Sequence, residues 1–330
     1  MLTLLWGLGS EGPLAAVLEE LESLGAPTAL IDQRMVLDTE IELDIAEKVR
    51  GIVRAGSEVI DLSQVTACYL RPYDWQELPA IGCAEPGSPI WQHTAAFHDA
   101  LCCWSELAPG LVVNRLAAMA ANGSKPFQLS QIRRLGFAVP ETIVTTDPGA
   151  AKAFWQRHGS VVYKSVSAVR SRVSRLNSEH IDRLADVASC PTQFQRYIAG
   201  TDYRVHIVGN EVFACEVRSD VDDYRYPGPH AVAITACEIP AEVKQRCRRM
   251  AAAMQLVVAG IDLRRSPDGT WYCFEVNPSP GFTYYENTTG LPIAGAIARL
   301  LAAGLEGVSG AASSSPNRSL TRFLTLQTTQ

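Results

Sequence analysis

The chain has 330 residues, of which 47% are hydrophobic and 19% are charged, a balance that excludes an intrinsically disordered protein. Its formal net charge of −6 argues against a nucleic-acid partner that is recruited by bulk charge. The sequence holds no uncharged apolar run long enough to cross a bilayer, so we predict no membrane span.

The nine cysteines are scattered, without a Cys-x-x-Cys spacing, and most of them lie in apolar runs. That usage is typical of buried thiols in a reducing compartment, and we therefore expect a cytoplasmic protein. The first residues, Met1–Trp6, lack a basic segment and predict a strand rather than a signal peptide. The six histidines show no ligand spacing, which argues against a zinc site.

Residues 1–115 predict a small α/β domain, because strand and helix patterns alternate there. Leu2–Leu8 has the pattern of a strand and Pro13–Leu24 that of an amphipathic helix, and a Gly-Ala-Pro break precedes a second strand at Ala29–Asp32. The other predicted elements are strands at Glu40–Ile45, Gly51–Val53, Val65–Leu70 and Leu111–Val113, and a helix at Ala95–Leu107.

Residues 116–192 predict a second unit that carries one unusual charge. Lys164 lies inside the apolar strand pattern Val161–Val166, and a lysine is rarely buried without a partner. Two interpretations stay open: a lysine whose head reaches water at a strand edge, or a phosphate contact at the rim of a cleft. The polar run Ser165–Arg175 follows, with a further strand predicted at Arg172–Leu176. The other predicted elements are helices at Leu116–Ala121, Lys125–Leu135 (with Ser124 as its cap) and Pro148–His158, and a strand at Thr142–Thr145.

Residues 193–308 predict a third unit that is built mainly from strands. The dipeptide Gly209-Asn210 predicts a tight hairpin between Tyr203–Val208 and Val212–Arg218. The other predicted elements are a strand at Phe194–Ile198, a polar loop at Asp220–Pro229, and helices at Ile239–Met254 and Pro292–Leu305. Residues 309–330 are rich in Ser, Thr and Gln and predict a disordered tail.

A second hairpin in this unit predicts a metal site. The turn Ser266–Gly269 joins two apolar strands, the second of which is Trp271–Asn277. Asp262 lies on the first strand, and Glu275 and Asn277 are two apart on the second, so the last two share one face. Two carboxylates and an amide oxygen suit a hard cation such as Mg²⁺. A solvated side chain is the alternative for each residue alone, but charges among apolar neighbours need a partner or a metal.

Four charged residues near the ends of neighbouring strands fit such a site: Asp202, Arg204, Arg218 and Arg225. Guanidinium groups bind phosphate and carboxylate through paired hydrogen bonds. We therefore expect the three arginines to face the metal ligands and to act in catalysis. An exposed salt bridge is the alternative for any single arginine.

Spaced motifs between about residues 116 and 303 resemble the ATP-grasp ligases and, within them, the RimK branch. The matching segments, which follow one another in the family's order, are Gln195–Ile198, Asp202–Arg204, Gly209, Arg218, Asp223–Arg225, Ala259–Asp262, Phe274–Gly281 and Glu286–Gly290. Residues 1–115 resemble the pre-ATP-grasp domain of these ligases. Within them, Asp61–Ser63 and Tyr69–Tyr73 resemble ligases that cyclise ribosomally made peptides, the microviridin (graspetide) type.

This resemblance implies an α/β (α+β) ATP-grasp fold with an N-terminal pre-ATP-grasp α/β domain at 1–115. A lid subdomain at 116–192 and a subdomain for nucleotide and metal at 193–308 would follow. For the nucleotide, the resemblance implies that Lys125 and Lys164 contact the ATP phosphates and that Arg225 contacts the γ-phosphate. It also implies that the backbone of Arg196 and Tyr197 contacts adenine and that Asp202 contacts the ribose. For the metal, it implies that Asp262, Glu275 and Asn277 hold two Mg²⁺ ions, or Mn²⁺ in their place, with Glu275 bridging.

The sequence departs from the family pattern at two places. The loop Ser165–Arg175 has no glycine, whereas the family's covering loop is usually glycine-rich. Arg196 replaces a residue that is more usually acidic, a change that a backbone contact to adenine would survive and a side-chain contact would not.

The resemblance implies a ligase that activates a carboxylate as an acyl phosphate, which an amine or hydroxyl then attacks. A peptide or amino acid is the implied substrate, with Arg71 and Tyr73 as candidate contacts, and a homo-oligomer is implied because relatives are often dimers or tetramers. Two alternatives stay open: a small-molecule kinase of the inositol-phosphate-kinase type, which shares the grasp fold, and a non-catalytic module that binds nucleotide and peptide. The complete metal triad argues against the module.

Overall fold

The computed structural model describes residues 1–166, 173–219 and 232–309. Within these residues the strands form four sheets: a parallel sheet and a small antiparallel sheet in the N-terminal part, and two antiparallel sheets in the rest of the chain. Among the described residues no helix has the length and apolar character needed to cross a membrane.

A parallel sheet with helices on both faces forms the N-terminal part. The elements are β1 (Leu2–Gly7), α1 (Gly12–Ser23), β2 (Thr28–Asp32), β3 (Thr39–Ile45), β4 (Val49–Ala55), β5 (Glu58–Asp61), β6 (Val65–Arg71), α2 (Pro89–Leu107) and β7 (Leu111–Val113). The parallel sheet has the order β2-β1-β6-β7, and β3, β4 and β5 form a separate antiparallel sheet. Side chains of β1 alternate, because Leu4 and Trp6 lie in the core under α2 whereas Leu5 lies in the core under α1.

An antiparallel sheet follows, and it contains one strand that we had expected in the next unit. The elements are α3 (Leu116–Met119), α4 (Lys125–Arg134), β8 (Thr142–Thr145), α5 (Pro148–His158), β9 (Val161–Ser165), β10 (Ser174–Arg175), α6 (Ser178–Ile181) and β11 (Thr192–Arg196). The sheet has the order β10-β9-β11-β8. The strand predicted at Phe194–Ile198 is therefore β11, which lies between β9 and β8 in this sheet.

A five-stranded antiparallel sheet carries most of the predicted site. The elements are β12 (Thr201–Val208), β13 (Glu211–Ser219), β14 (Val232–Ala236), α7 (Ala241–Ala253), β15 (Val258–Arg265), β16 (Trp271–Asn277), α8 (Thr283–Thr289), α9 (Ile293–Ala303) and α10 (Leu305–Ser309). The order is β14-β13-β12-β15-β16. One face packs on α7 and α4, and α9 joins α1 in the core of the N-terminal sheet.

The predicted helices and strands agree in type with the described structure, and the differences have local reasons; the loop predicted at Asp220–Pro229 lies outside the described residues. β8 and α5 match their predictions residue for residue. Helix α2 begins at Pro89 rather than Ala95, since the hydroxyl of Ser88 accepts a hydrogen bond from the Trp91 amide (3.3 Å) and caps it. Helix α8 was missed because Thr283–Thr289 holds poor helix formers.

Three further expectations need correction or fall outside the structure. Ser124 precedes α4, but its side chain makes no capping bond. All nine cysteines are free thiols, but Cys83, Cys103 and Cys190 are exposed rather than buried. The predicted disordered tail, apart from Ser309, lies outside the described residues.

Candidate active site

The three predicted metal ligands lie together on one face of the five-stranded sheet. Asp262 on β15 stands directly opposite Glu275 on β16, and Asn277 is two residues further along the same strand. The side chains of Asp262 and Glu275 are 23% and 18% exposed, so both carboxylates are partly buried but reach solvent. Three hard oxygen donors on two hydrogen-bonded strands suit Mg²⁺.

A β-bulge at Phe274 creates this juxtaposition. Leu263 pairs with Cys273, whereas the next residue, Asp262, pairs with Glu275, so Phe274 is the extra residue. Without the bulge, Glu275 would share the face of Cys273, which is fully buried in the core under α7. The bulge therefore turns Glu275 towards Asp262, as bulges beside active sites commonly do.

Two buried cations neutralise the two carboxylates. The Nη1 of Arg204 donates to the Oδ1 of Asp262 at 2.7 Å, and the ammonium of Lys125 contacts the Oε1 of Glu275. Lys125 also donates to the Oδ1 of Asn122 at 3.1 Å. Arg204 is 6% exposed and Lys125 is 9% exposed. Each carboxylate therefore has a positive partner that compensates for its partial burial.

Close packing around Arg204 requires a glycine on the neighbouring strand. A Cβ atom at Gly260 would lie 2.1 Å from the Nη2 of Arg204 and 2.7 Å from the Cβ of Pro280. The backbone of β15 therefore serves as one wall of the guanidinium pocket. His206 and the ring of Tyr285 form two other walls: the Nε of Arg204 donates to the Nε2 of His206 at 3.3 Å, and the Cζ of Arg204 lies 5.5 Å from the centroid of Tyr285.

The predicted nucleotide residues Lys164 and Arg196 lie on neighbouring strands of the sheet β10-β9-β11-β8. Lys164 on β9 stands opposite Gln193 on β11. Arg196 ends β11, and its Nη2 donates to the hydroxyl of Tyr272 on β16 at 3.2 Å. The amide of Tyr197 donates to the carbonyl of Ser160 at 3.0 Å, so this amide is already engaged and does not offer adenine a free donor.

The carboxylate of Asp202, expected to bind a ribose, forms a paired contact with Arg264. The Nε and Nη2 of Arg264 donate to Oδ1 and Oδ2 of Asp202, each at 2.7 Å, and its Nη1 donates to the carbonyl of Ile198 at 2.8 Å. The guanidinium also lies 5.6 Å from the ring centroid of Tyr197. Arg264 was not among our predicted site residues, although its position two residues after Asp262 places it on the same face.

Of the other predicted arginines, one lies away from the metal ligands and one lies outside the described residues. The register of β12 with β13 places Arg218 on the face opposite to Arg204, where its Nε donates to Glu216 at 2.6 Å and its side chain is 76% exposed. The expectation that Arg218 faces the metal ligands is therefore wrong. Arg225 lies outside the described residues, as does most of the loop predicted to cover the phosphates, residues 167–172.

Arg71 links the N-terminal sheet to the segment that follows β16. Its Nη1 donates to the carbonyl of Pro280 at 3.1 Å, and its other nitrogens contact both carboxylate oxygens of Glu11 at 2.5 and 2.6 Å. The side chain is 7% exposed, so Arg71 is a buried link rather than the free substrate contact that we expected. Tyr73, the other candidate, is 47% exposed.

Comparison with known proteins identifies the family of this chain. A model of the RimK-like ATP-grasp domain matches residues 132–301, more than half of the chain, and the chain belongs to this family. A probable alpha-L-glutamate ligase of Xanthomonas oryzae pv. oryzae is 32% identical over 166 residues, which are 49% of this chain and 51% of that protein. The ribosomal protein bS6–L-glutamate ligase of Escherichia coli is 37% identical over 109 residues, 32% of this chain and 36% of that protein. The chain thus spans about half the length, or less, of these curated relatives.

Two solved structures share the fold over nearly the whole chain. The macrocyclase MdnC of Microcystis aeruginosa MRC, solved with its precursor peptide MdnA, has a TM-score of 0.78 at 23% identity and covers 91% of this chain and 99% of its own. The ATP-grasp ligase PsnB, solved with a minimal precursor, Mg and ADP, has a TM-score of 0.74 at 26% identity and covers 93% of this chain and 97% of its own. The predicted ATP-grasp fold with an N-terminal α/β domain is confirmed.

Proposed function

We propose that this chain is an ATP- and Mg²⁺-dependent ligase that joins a carboxylate to an amine or a hydroxyl on a peptide or amino-acid substrate. One observation carries the proposal: Asp262, Glu275 and Asn277 share one face of the sheet, and Arg204 and Lys125 lie against its two carboxylates. Phosphoryl transfer requires positioned charge rather than a protein nucleophile, and this arrangement provides it.

The proposed reaction has two steps, activation of the carboxylate and its transfer to the nucleophile. A carboxylate oxygen of the substrate attacks the γ-phosphorus of ATP, and ADP leaves with the electron pair of the broken bond. The amine or hydroxyl then attacks the acyl carbon and gives up a proton, and phosphate leaves with the former carboxylate oxygen. Mg²⁺, when bound, offsets the negative charge that the phosphates bring to the site.

The protein's own groups hold these reactants in place. Lys125 and Lys164 would contact phosphate oxygens, and Arg204 would hold Asp262 towards the cation. Arg225 keeps its proposed contact with the γ-phosphate on the strength of the family resemblance alone. Asp262, Glu275 and Asn277 would hold two Mg²⁺ ions, or Mn²⁺ in their place, as the family resemblance implies.

The adenine and the ribose would lie at the end of β11. The carbonyl groups of Arg196 and Tyr197 are the hinge acceptors that we propose for the adenine amino group, since the Tyr197 amide is engaged with Ser160. Asp202 would accept a hydrogen bond from a ribose hydroxyl in addition to the two from Arg264, because a carboxylate can accept more than two hydrogen bonds.

A peptide substrate is supported by the names of the structural neighbours, of which MdnC and PsnB were solved with precursor peptides. Amide formation with an amino acid is supported by the glutamate ligases among the curated relatives. A cytoplasmic location is supported by the nine free thiols, which suit a reducing compartment. A homo-oligomer remains a proposal from the family resemblance, and its test is the mass in solution.

The test is release of ADP and phosphate with ATP and Mg²⁺ against a panel of amino acids and of peptides encoded near the gene. We expect one carboxylate–nucleophile pair to stimulate both, with the coupled product visible by mass. If the carboxylate carries ¹⁸O, one label must appear in the released phosphate. A phosphorylated product with no free phosphate would instead identify a kinase and refute the ligase.

A further inference from the structure

The guanidinium of Arg204 contacts Asp262 through Nη1 and a buried histidine, His206, through Nε. His206 lies two residues along β12, on the same face, and is fully buried. The Nε of Arg204 donates to its Nε2 at 3.3 Å, and Arg204 in turn donates to Asp262 at 2.7 Å. A chain of two hydrogen bonds thus runs from an imidazole to a metal-ligand carboxylate.

The direction of these two hydrogen bonds fixes the protonation state and the tautomer of His206. A guanidinium has donors only, so the Nε2 of His206 must be the acceptor and the ring must be neutral with its proton on Nδ1. Burial and then the charge of Arg204 lower the pKa of His206 well below its usual value, which agrees with a neutral ring.

A neutral ring leaves the Nδ1 of His206 buried without a hydrogen-bond partner. A buried donor that lacks a partner is unfavourable for folding, whereas a leucine of similar bulk would fill the same space without that penalty. A polar side chain kept in such a position calls for another reason than packing.

The packing around the pair leaves the guanidinium one orientation. The ring of His206 meets the ring of Tyr285 edge to face with centroids 5.2 Å apart, and Arg204 lies over the same tyrosine. Gly260 closes the opposite side, since a Cβ there would meet the Nη2 of Arg204 at 2.1 Å. The hydrogen bond from Nε to His206 holds the planar group on the edge opposite to the one that meets Asp262.

We infer that His206 is a positioning residue, which holds Arg204 so that its Nη1 meets Oδ1 of Asp262 and leaves the other carboxylate oxygen turned towards a divalent cation. The inference rests on the proposed function, because it assigns His206 to the cation site of that reaction. Groups hydrogen-bonded directly to a metal ligand commonly change metal affinity by about ten- to a hundredfold when they are removed. His206 acts one hydrogen bond further out, through Arg204, so we expect an effect at the lower end of that range.

The experiment compares His206→Leu with His206→Gln in the full-length chain. Glutamine keeps an acceptor near the position of Nε2, whereas leucine keeps only the bulk. Mn²⁺ binding to the ADP complex, followed by its electron paramagnetic resonance signal, reports cation affinity without turnover. Val205→Ala is the matched control, because Val205 is fully buried on the same strand with its side chain on the opposite face.

We expect His206→Leu to weaken Mn²⁺ binding by about tenfold and His206→Gln to retain most of the wild-type affinity. We expect Val205→Ala to lower the unfolding temperature and to leave the Mn²⁺ affinity unchanged. Unchanged affinity in His206→Leu, or equal losses in the leucine and glutamine variants, would overturn the inference while leaving the proposed function intact. A wild-type protein that binds no Mn²⁺ with ADP would overturn both. Thermal unfolding of each variant separates a local effect on the cation from a general loss of stability.

Discussion

Lys125 and Glu275, 150 residues apart in the chain, form an ion pair on the surface of the five-stranded sheet. The lysine was expected at the ATP phosphates and the glutamate at the metal, and the structure brings the two together. The ammonium supplies the positive charge that this partly buried carboxylate needs. The two residues therefore form one ion-paired unit.

Substitution of Lys125 by Met should make the protein depend on a cation for stability. The variant leaves the carboxylate of Glu275 without its partner, so we expect a lower unfolding temperature than the wild type in EDTA. Mg²⁺ should then stabilise Lys125→Met more than the wild type, because a ligand that binds only the folded state raises its stability. Differential scanning fluorimetry with and without Mg²⁺ measures both shifts. Lys152→Met, at an exposed position on α5, is the control. If Mg²⁺ raised the unfolding temperature of wild type and Lys125→Met equally, the Lys125–Glu275 pair would not be coupled to a cation site.

Substitution of Gly260 by Ala should displace the guanidinium of Arg204. The new methyl group would lie 2.1 Å from Nη2 and 2.7 Å from the Cβ of Pro280, so one of the two must move. We expect ATP turnover to fall by about a hundredfold, the scale of losing one preorganised charged contact in an active site. Gly281→Ala is a close control, since a Cβ there would meet nothing within 4 Å. Comparable turnover in the two variants would show that the packing around Arg204 is not required.

Substitution of Asn114 by Ala should destabilise the junction between the N-terminal and five-stranded sheets. The Asn114 side chain is buried, donates to the carbonyls of Val258 (2.7 Å) and Pro278 (2.6 Å), and accepts from the amide of Val257 (2.7 Å). Alanine would leave these buried backbone groups without partners, and we expect a loss of about 3 kcal/mol or more in the free energy of unfolding.

Urea unfolding of Asn114→Ala measures this loss directly. Asn287→Ala is the control, because Asn287 is exposed on α8 and should change stability by no more than about 0.5 kcal/mol. A change of that small size in Asn114→Ala as well would mean that the junction is held by apolar packing alone.

Local sequence patterns predict most of the strands and helices here because they need no knowledge of distant partners. The alternation of β16 and the Ser-Pro-Asp-Gly turn before it place Glu275 and Asn277 on one face of a hairpin. The same reasoning leaves the position of Asp262 relative to them open, since that depends on the register. The bulge at Phe274 decides it. Burial along β16 changes phase there, but the run Trp271–Phe274 is apolar throughout, so the sequence does not show which residue is the extra one.

The placement of Arg218 shows a signal that the sequence did contain. The two-residue turn at Gly209-Asn210 fixes Val208 opposite Glu211, and this register places even-numbered residues of β12 with odd-numbered residues of β13. Arg218 must then lie on the opposite face from Arg204. The hydrogen bonds of Asn114 and Arg71 carry no comparable signal, because their partners lie more than 140 residues away or belong to another sheet.

The most direct test of the account is ATP turnover in Glu275→Ala beside the wild type, with Mg²⁺ and the stimulating substrate pair. Glu40→Ala, which removes a carboxylate that is 75% exposed on β3, serves as the control. We expect the wild type and Glu40→Ala to release ADP and phosphate in equal amounts, and Glu275→Ala to stay folded and release neither. Undiminished turnover in folded Glu275→Ala would contradict the assignment of this face as the catalytic cation site.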